Sequence, residues 1–239
     1  MTEANNGDRV QTLPPPHLVN VQVGAAWSVA LPTVYRYEDQ RWIDLFFETG
    51  ALRLSTFAKF ATYKDEVRGD SEEGKGGGYG ETPDGKSIFV MAAEGMNAFV
   101  LSFSNRLDHA LRTQFGRDSA FQIVNTLGFA VEVARQLPGF RGGLEGSCIY
   151  RPNTLIRTSV QFDIDKYKRP DGTMDMQMIF DAGAELGGAE RILLKRLKYQ
   201  TQQEYRLVWY VDAVKNEHVD ISCPLARRYC RRVDANSYS

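Results

Sequence analysis

Apolar positions along the chain follow two periods, one helical and one alternating. "TVYRY", Thr33–Tyr37, is β-branched and aromatic and predicts a short strand. In "EDQRWIDLFFETG", Trp42, Leu45 and Phe46 recur at i, i+3 and i+4, and Gly50 closes the segment. That spacing predicts an amphipathic helix with those three residues on its apolar side. "ALRLSTF" alternates Leu52 and Leu54 with Arg53 and Ser55 and reads as a second strand. "NAFVLSFS", Asn97–Ser104, reads as a buried strand, and "AFQIV" around Phe121 as another. "NTLGFAVEVARQL" predicts a helix ending near Pro138, and "SCIYRP" and "SVQFDID" predict strand pieces. "DAGAELGGAERILLKRLKY" reads as a helix leading into the strand "EYRLVWYV".

Strands and helices alternate without a βαβ repeat carrying a Gly-rich turn. The class expected is α+β with a mixed, mostly antiparallel sheet and flanking helices. With 239 residues and 43% hydrophobic content, one domain is favoured, at 31–239, after a polar, Pro-rich arm at 1–30. The arm lacks the charged-then-apolar order of a signal peptide. Arg68 to Lys86, "RGDSEEGKGGGYGETPDGK", is Gly-rich and charged and reads as a loop too long for an ordinary connector. It is either a flap over a site or a disordered insertion, and Gly74–Gly80 is expected to be mobile. "GKGGGYG" lacks the Lys-Ser/Thr and helix of a P-loop.

A net charge of −1 excludes a strong whole-molecule field for DNA or membrane. The charge is uneven: Thr62–Asp84 carries three Lys/Arg against seven Asp/Glu, and Arg191 to the end carries ten against five. Solvated surface explains both, although the tail "ARRYCRR" also has the Arg and Tyr that contact phosphates and bases. No run approaches the roughly 18 apolar residues of a membrane helix, so no membrane partner is expected. Three cysteines, Cys148, Cys223 and Cys230, form no CxxC and point to a reducing cytoplasm. Cys223, Cys230 and His218 do not make a complete zinc ligand set, and no metal is expected.

Few side chains suit nucleophilic chemistry. None of the three histidines has the spacing of a zinc protease, and no G-x-S-x-G elbow is present. A triplet on three expected strands remains: Arg36, Ser55 and Glu204. Cleavage of the nicotinamide–ribose bond of NAD needs little more, because the leaving group is already cationic. A carboxylate such as Glu204 can stabilise the oxocarbenium-like transition state. Arg36 can hold a diphosphate by bidentate contacts. Ser55 can fix the ribose or the neighbouring strand. Each residue also has a bland reading: a surface arginine stacked on tyrosines, an uninformative serine, a glutamate paired with Arg206.

The order "VYRYEDQRWIDLFFETGALRLSTFAKF", "RGDSEEG", "FVLSFS", "KRLKYQTQQEYRLVW" resembles a widespread bacterial family of unknown function, over roughly Val34–Val211. That family is similar in layout to the ADP-ribosyltransferases. The resemblance implies an ADP-ribosyltransferase-type sheet, NAD as the cofactor, and a motif series of Arg, Ser-Thr-Ser and a terminal Glu. Arg36 takes the first place, Ser55-Thr56-Phe57 the second, Gln202 and Glu204 the third. Phe57 departs from the serine of the pattern. Arg36, Tyr37, Ser55, Thr56 and Phe57 are then the NAD-binding residues and Gln202 the acceptor-binding one. A glutamine there can hydrogen-bond an acceptor but cannot act as a base. Asp70 and Glu73 of "RGDSEEG" line the cleft or make a turn.

The resulting expectation is NAD-dependent ADP-ribosyl transfer to a macromolecular acceptor, nucleic acid or protein. By resemblance the role is that of a toxin or phage-conflict effector, with an antitoxin or inhibitor as a further partner. NAD hydrolysis in the same fold and a non-catalytic nucleic-acid- or protein-binding domain are the alternatives. The transferase reading expects Arg36, Ser55 and Glu204 to meet in one cleft, and Arg36 and Glu204 on opposite faces of the sheet would count against it.

Overall fold

The computed structural model describes residues 32–62, 74–81, 85, 87–93, 95–153, 155–157, 163–176, 178–179 and 189–233. The arm at 1–30, Asp70 and Glu73 lie outside them, and the described residues fall in the unit Leu31–Ser239. In chain order the elements are β1 (Val34–Glu38), α1 (Gln40–Thr49), β2 (Ala51–Thr56), α2 (Phe57–Thr62), β3 (Lys75–Glu81), β4 (Ser87–Ala93), β5 (Ala98–Ser104), α3 (His109–Gln114) and β6 (Ser119–Ile123). They continue with α4 (Thr126–Ala134), β7 (Phe140–Ser147), β8 (Ile149–Arg151), β9 (Leu155–Arg157), β10 (Leu194–Arg196), β11 (Glu204–Val211), β12 (His218–Ser222) and β13 (Cys230–Arg232). The class is α+β with a mostly antiparallel main sheet. Parallel pairing occurs between β10 and β8 and between β3 and β9.

The main sheet is split. Strand β11 occupies one edge of β5 from Glu204↔Ser104 to Tyr210↔Ala98. Two strands therefore share the other edge. β1 meets β5 only at Tyr35↔Ser104 and then follows β6 through Glu38. β2 meets β5 only at Ser55↔Val100 and Thr56↔Phe99 and otherwise follows β12. Between these two contacts the edge of β5 at Leu101, Ser102 and Phe103 has no strand partner among the described residues.

Opposed residues in a ladder share a face, and neighbours along a strand alternate. Phe99, Leu101 and Phe103 of β5 and Tyr205, Leu207 and Trp209 of β11 form the core with Phe46 and Phe129 from α1 and α4. Ser102, Ser104, Glu204 and Arg206 occupy the opposite face. Glycine lets β7 lie close to its neighbours: a Cβ on Gly146 would come 2.7 Å from Leu193 Cδ1. Helix α1 ends at Gly50, whose φ of 77° is left-handed and whose N–H donates to Phe46 O.

Four expectations are corrected. Helix α1 buries Ile43 and Phe46, whereas Trp42 and Leu45 are 48% and 38% exposed. Of the helix expected at 181–199, residues 181–188 lie outside the described residues, and the rest forms a 3₁₀ turn (Ala189–Leu193), strand β10 and the start of a second 3₁₀ turn (Leu197–Gln202). Ile192, Leu193 and Leu194 are buried in succession, which one face of a helix cannot do, and β8 offers β10 a pairing edge. Within the expected Gly-rich loop, Lys75–Glu81 is strand β3, paired with β4 over seven residues. "SVQFDID" is described only from Asp163, where a 3₁₀ turn at Ile164–Tyr167 replaces the expected strand end.

Candidate functional site

A cavity of about 150 Å³ opens at the split. Its lining includes Arg36 from β1, Ser55 from β2, Ser102 from β5, Lys195 from β10, Gln202 at the end of the 3₁₀ turn Leu197–Gln202, and Glu204 at the start of β11. Arg36, Ser55, Gln202 and Glu204 therefore meet in one place. They do not share a face. Tyr35 pairs with Ser104, which pairs with Glu204, so Arg36 leaves β1 from the opposite face. The expectation of a common face is overturned. Convergence comes from the split, through which Arg36 Nη1 donates to Ser102 O at 2.8 Å. The carbonyl that a neighbouring strand would have covered is met by a side chain.

Glu204 is buried and densely contacted. Its Oε1 accepts from Ser102 Oγ at 2.8 Å and Arg206 Nε at 2.7 Å, and its Oε2 accepts from Lys195 Nζ. Lys195 Nζ also donates to Gln202 Oε1 at 3.0 Å and lies 4.9 Å from the Tyr199 ring. Arg206 Nη1 donates to Ile192 O at 2.6 Å, and its guanidinium lies over the Phe57 ring. Burial works to raise the Glu204 carboxyl, but Arg206 and Lys195 outweigh it and hold it well below the usual carboxylate range. One carboxylate thus faces two buried cations, for a formal charge of +1.

Backbone geometry fixes Glu204. Gln203 is the one described non-glycine residue with a left-handed φ, 43°. Its carbonyl accepts from Asn105 N and Nδ2 at 2.9 and 3.2 Å. Ser104 Oγ donates to Gln202 O at 2.9 Å, and the Glu204 N–H donates to the Tyr150 hydroxyl at 2.7 Å. Burial pushes the Tyr150 hydroxyl far above its ordinary value, so it stays neutral. At the other wall, Glu38 lies 3.3 Å from Arg36 Nη2 and 2.8 Å from Arg117 Nη1, and Arg117 also reaches Asp39 at 2.9 Å.

The remaining expected residues divide. Tyr37 lines the cavity, although its hydroxyl donates to Arg106 O and accepts from Asp108 N, both at 2.7 Å. Thr56 and Phe57 do not line it. Thr56 turns to the core face and its Oγ1 accepts from Lys59 N, capping α2, while Phe57 packs with Val100, Ile192 and Val208. Phe57 is thereby taken up by the core rather than by the cavity. Lys195, Ser102, Arg117 and Glu38 escaped sequence reasoning. Only the quoted "KRLKY" preceding Gln202 carried a trace of Lys195.

The basic tail is largely committed within the fold. Arg227 Nη1 donates to the α1 carbonyls of Phe47 and Glu48, Arg228 pairs with Glu132, and Arg232 pairs with Asp44. Cys223 and Cys230 are buried thiols, and burial with nearby Glu132 pushes Cys223 up to about 11. Among the described residues no group of three or more His, Cys, Asp and Glu is placed to hold a metal ion. No helix among them is long and apolar enough to cross a membrane.

No family model, curated protein or solved structure matches the chain.

Proposed function

We propose that the protein cleaves the nicotinamide–ribose bond of NAD and transfers ADP-ribose to a macromolecular acceptor, on an ADP-ribosyltransferase-type sheet. The observation that supports this reading is the meeting of Arg36, Ser55 and Glu204 in one cavity, from strands up to 168 residues apart. The donor set fits NAD: cations at Arg36, Arg117 and Lys195 suit a diphosphate, and Tyr35, Phe60 and Phe115 suit a flat ring.

NAD supplies a glycosidic bond to a leaving group that is already cationic. Glu204 then opposes the positive charge that develops at the ribose. As it stands, Lys195 and Arg206 offset that charge. A phosphate that draws Lys195 Nζ aside releases Oε2 for the ribose, while Ser102 and Arg206 keep hold of Oε1. Arg36 orients the diphosphate, and Ser55 borders the ribose.

Gln202 favours a second reading. Its amide oxygen accepts from Lys195 and its side chain is buried, which leaves little of it to recognise an acceptor. Water would then be the acceptor and NAD depletion the outcome. Incubation with labelled NAD, followed by separation of RNA, DNA and protein pools, tests the proposal. Label in one pool supports transfer, free ADP-ribose alone supports hydrolysis, and intact NAD defeats both.

A further inference from the structure

Behind the split lies a second cavity of about 510 Å³, between α1 and the β2–β12 pair. It shares Arg36, Glu38, Ser55 and Arg117 with the Glu204 cavity. The two are therefore neighbouring chambers with a common wall of side chains. Its outer rim is formed by Trp42 and Leu45, the two apolar residues of α1 that the core does not take up.

Size separates the chambers. Pockets that enclose drug-sized ligands run to roughly 300–1,000 Å³. The Glu204 chamber falls below that range and holds one ring with its sugar at most; the second falls inside it. The cations sit where the chambers meet. Each guanidinium carries five N–H donors, and Arg36 and Arg117 contact two acceptors apiece, so both retain donors for an anion. Trp42 is held by the Arg41 guanidinium, 4.9 Å from its ring.

We propose that the Trp42 chamber is the purine subsite of the dinucleotide, with the base stacked against the Trp42 indole and the diphosphate at Arg36 and Arg117. This rests on the NAD reading above, and it assigns the larger half of the ligand to the face of the sheet opposite Glu204. An exposed tryptophan beside a mainly apolar groove costs the fold an unburied ring, and a stacking partner removes that cost.

The test is calorimetric titration of the full chain with NAD, AMP and nicotinamide mononucleotide. Wild type is compared with Trp42→Ala and Trp42→Phe, each checked by thermal melting. Trp42 is half exposed, so both variants should fold. Loss of stacking weakens binding on the order of tenfold. Trp42→Ala is expected to weaken NAD and AMP by that factor, to leave nicotinamide mononucleotide unchanged, and to be largely rescued by Trp42→Phe. Equal AMP affinity in wild type and Trp42→Ala overturns the subsite, even where NAD is cleaved normally. So does equal weakening of nicotinamide mononucleotide. Trp42-dependent AMP binding without NAD cleavage keeps the purine subsite and defeats the transfer reading. Binding of none of the three defeats both.

Discussion

Arg36 and Glu204 leave the sheet on opposite faces and still line the same cavity, because Arg36 Nη1 reaches Ser102 O through the split at 2.8 Å. Ser102 joins the two: its carbonyl accepts from Arg36 and its hydroxyl donates to Glu204. The split holds a cation and a carboxylate on either side of one residue of β5. That arrangement can bind an anion and oppose a cation at adjacent points.

Arg36 is assigned to ground-state binding, so Arg36→Ala should raise the dissociation constant for NAD by roughly tenfold or more, as for loss of a charged hydrogen bond. The rate at saturating NAD should change less. Titration and single-turnover kinetics separate the two. An unchanged affinity would remove Arg36 from the ligand.

Glu204 also forms ion pairs with two buried cations. Glu204→Gln leaves Lys195 and Arg206 facing an amide, and breaking a buried ion pair in this way costs about 3–5 kcal/mol. Adding Lys195→Met should restore part of that loss, since it removes one of the uncompensated charges. A double-mutant cycle by chemical denaturation measures the coupling. Additive effects would mean that the contact contributes little.

The same cluster sets an acid response. The Glu204 carboxyl is held below its ordinary value of 4.5 in the folded state, so below about that pH the unfolded chain binds the extra proton first. Its stabilising contribution is complete above 4.5 and is lost as pH falls toward the folded value. Urea unfolding between pH 5 and pH 2.5 should show wild-type stability falling more steeply than that of Glu204→Gln. Parallel curves would contradict the assigned shift.

Much of the main sheet was legible because its strands carry strong local patterns. The alternation in "ALRLST" and the apolar runs of β5 and β11 survive folding intact. Helix α1 was legible as a helix but not in its orientation. Its periodicity also fits Trp42 and Leu45, and packing against Phe121 and Phe129 selects Ile43 and Phe46. Strand β3 was hidden by its glycines, which carry no side-chain pattern, and β10 by a helix-like composition that pairing with β8 overrides. Of the site, Arg36, Ser55 and Glu204 could be found from motif order. Lys195 and Ser102 could not, because only the 3₁₀ turn at Leu197–Gln202 and the β5–β11 register bring them to Glu204.

The arginines of the tail should behave as structural groups. Arg227→Ala removes donors from the last carbonyls of α1 and should cost about 1–2 kcal/mol, read as a lower melting temperature. Arg231→Ala, on an exposed position, should leave it unchanged. A drop of equal size in both would contradict the capping role.

Nicotinamide release under single-turnover conditions tests the account most directly, with wild type, Glu204→Gln and Glu204→Gln/Lys195→Met compared after melting curves establish that each is folded. Glu204→Gln keeps the shape and removes the charge, so release should slow on the order of a hundredfold or more while NAD affinity stays close to wild type. The double variant should regain stability without regaining rate. Release by folded Glu204→Gln at the wild-type rate, or no release by wild type, would contradict a catalytic Glu204 and leave the carboxylate as the neutralising partner of Lys195 and Arg206.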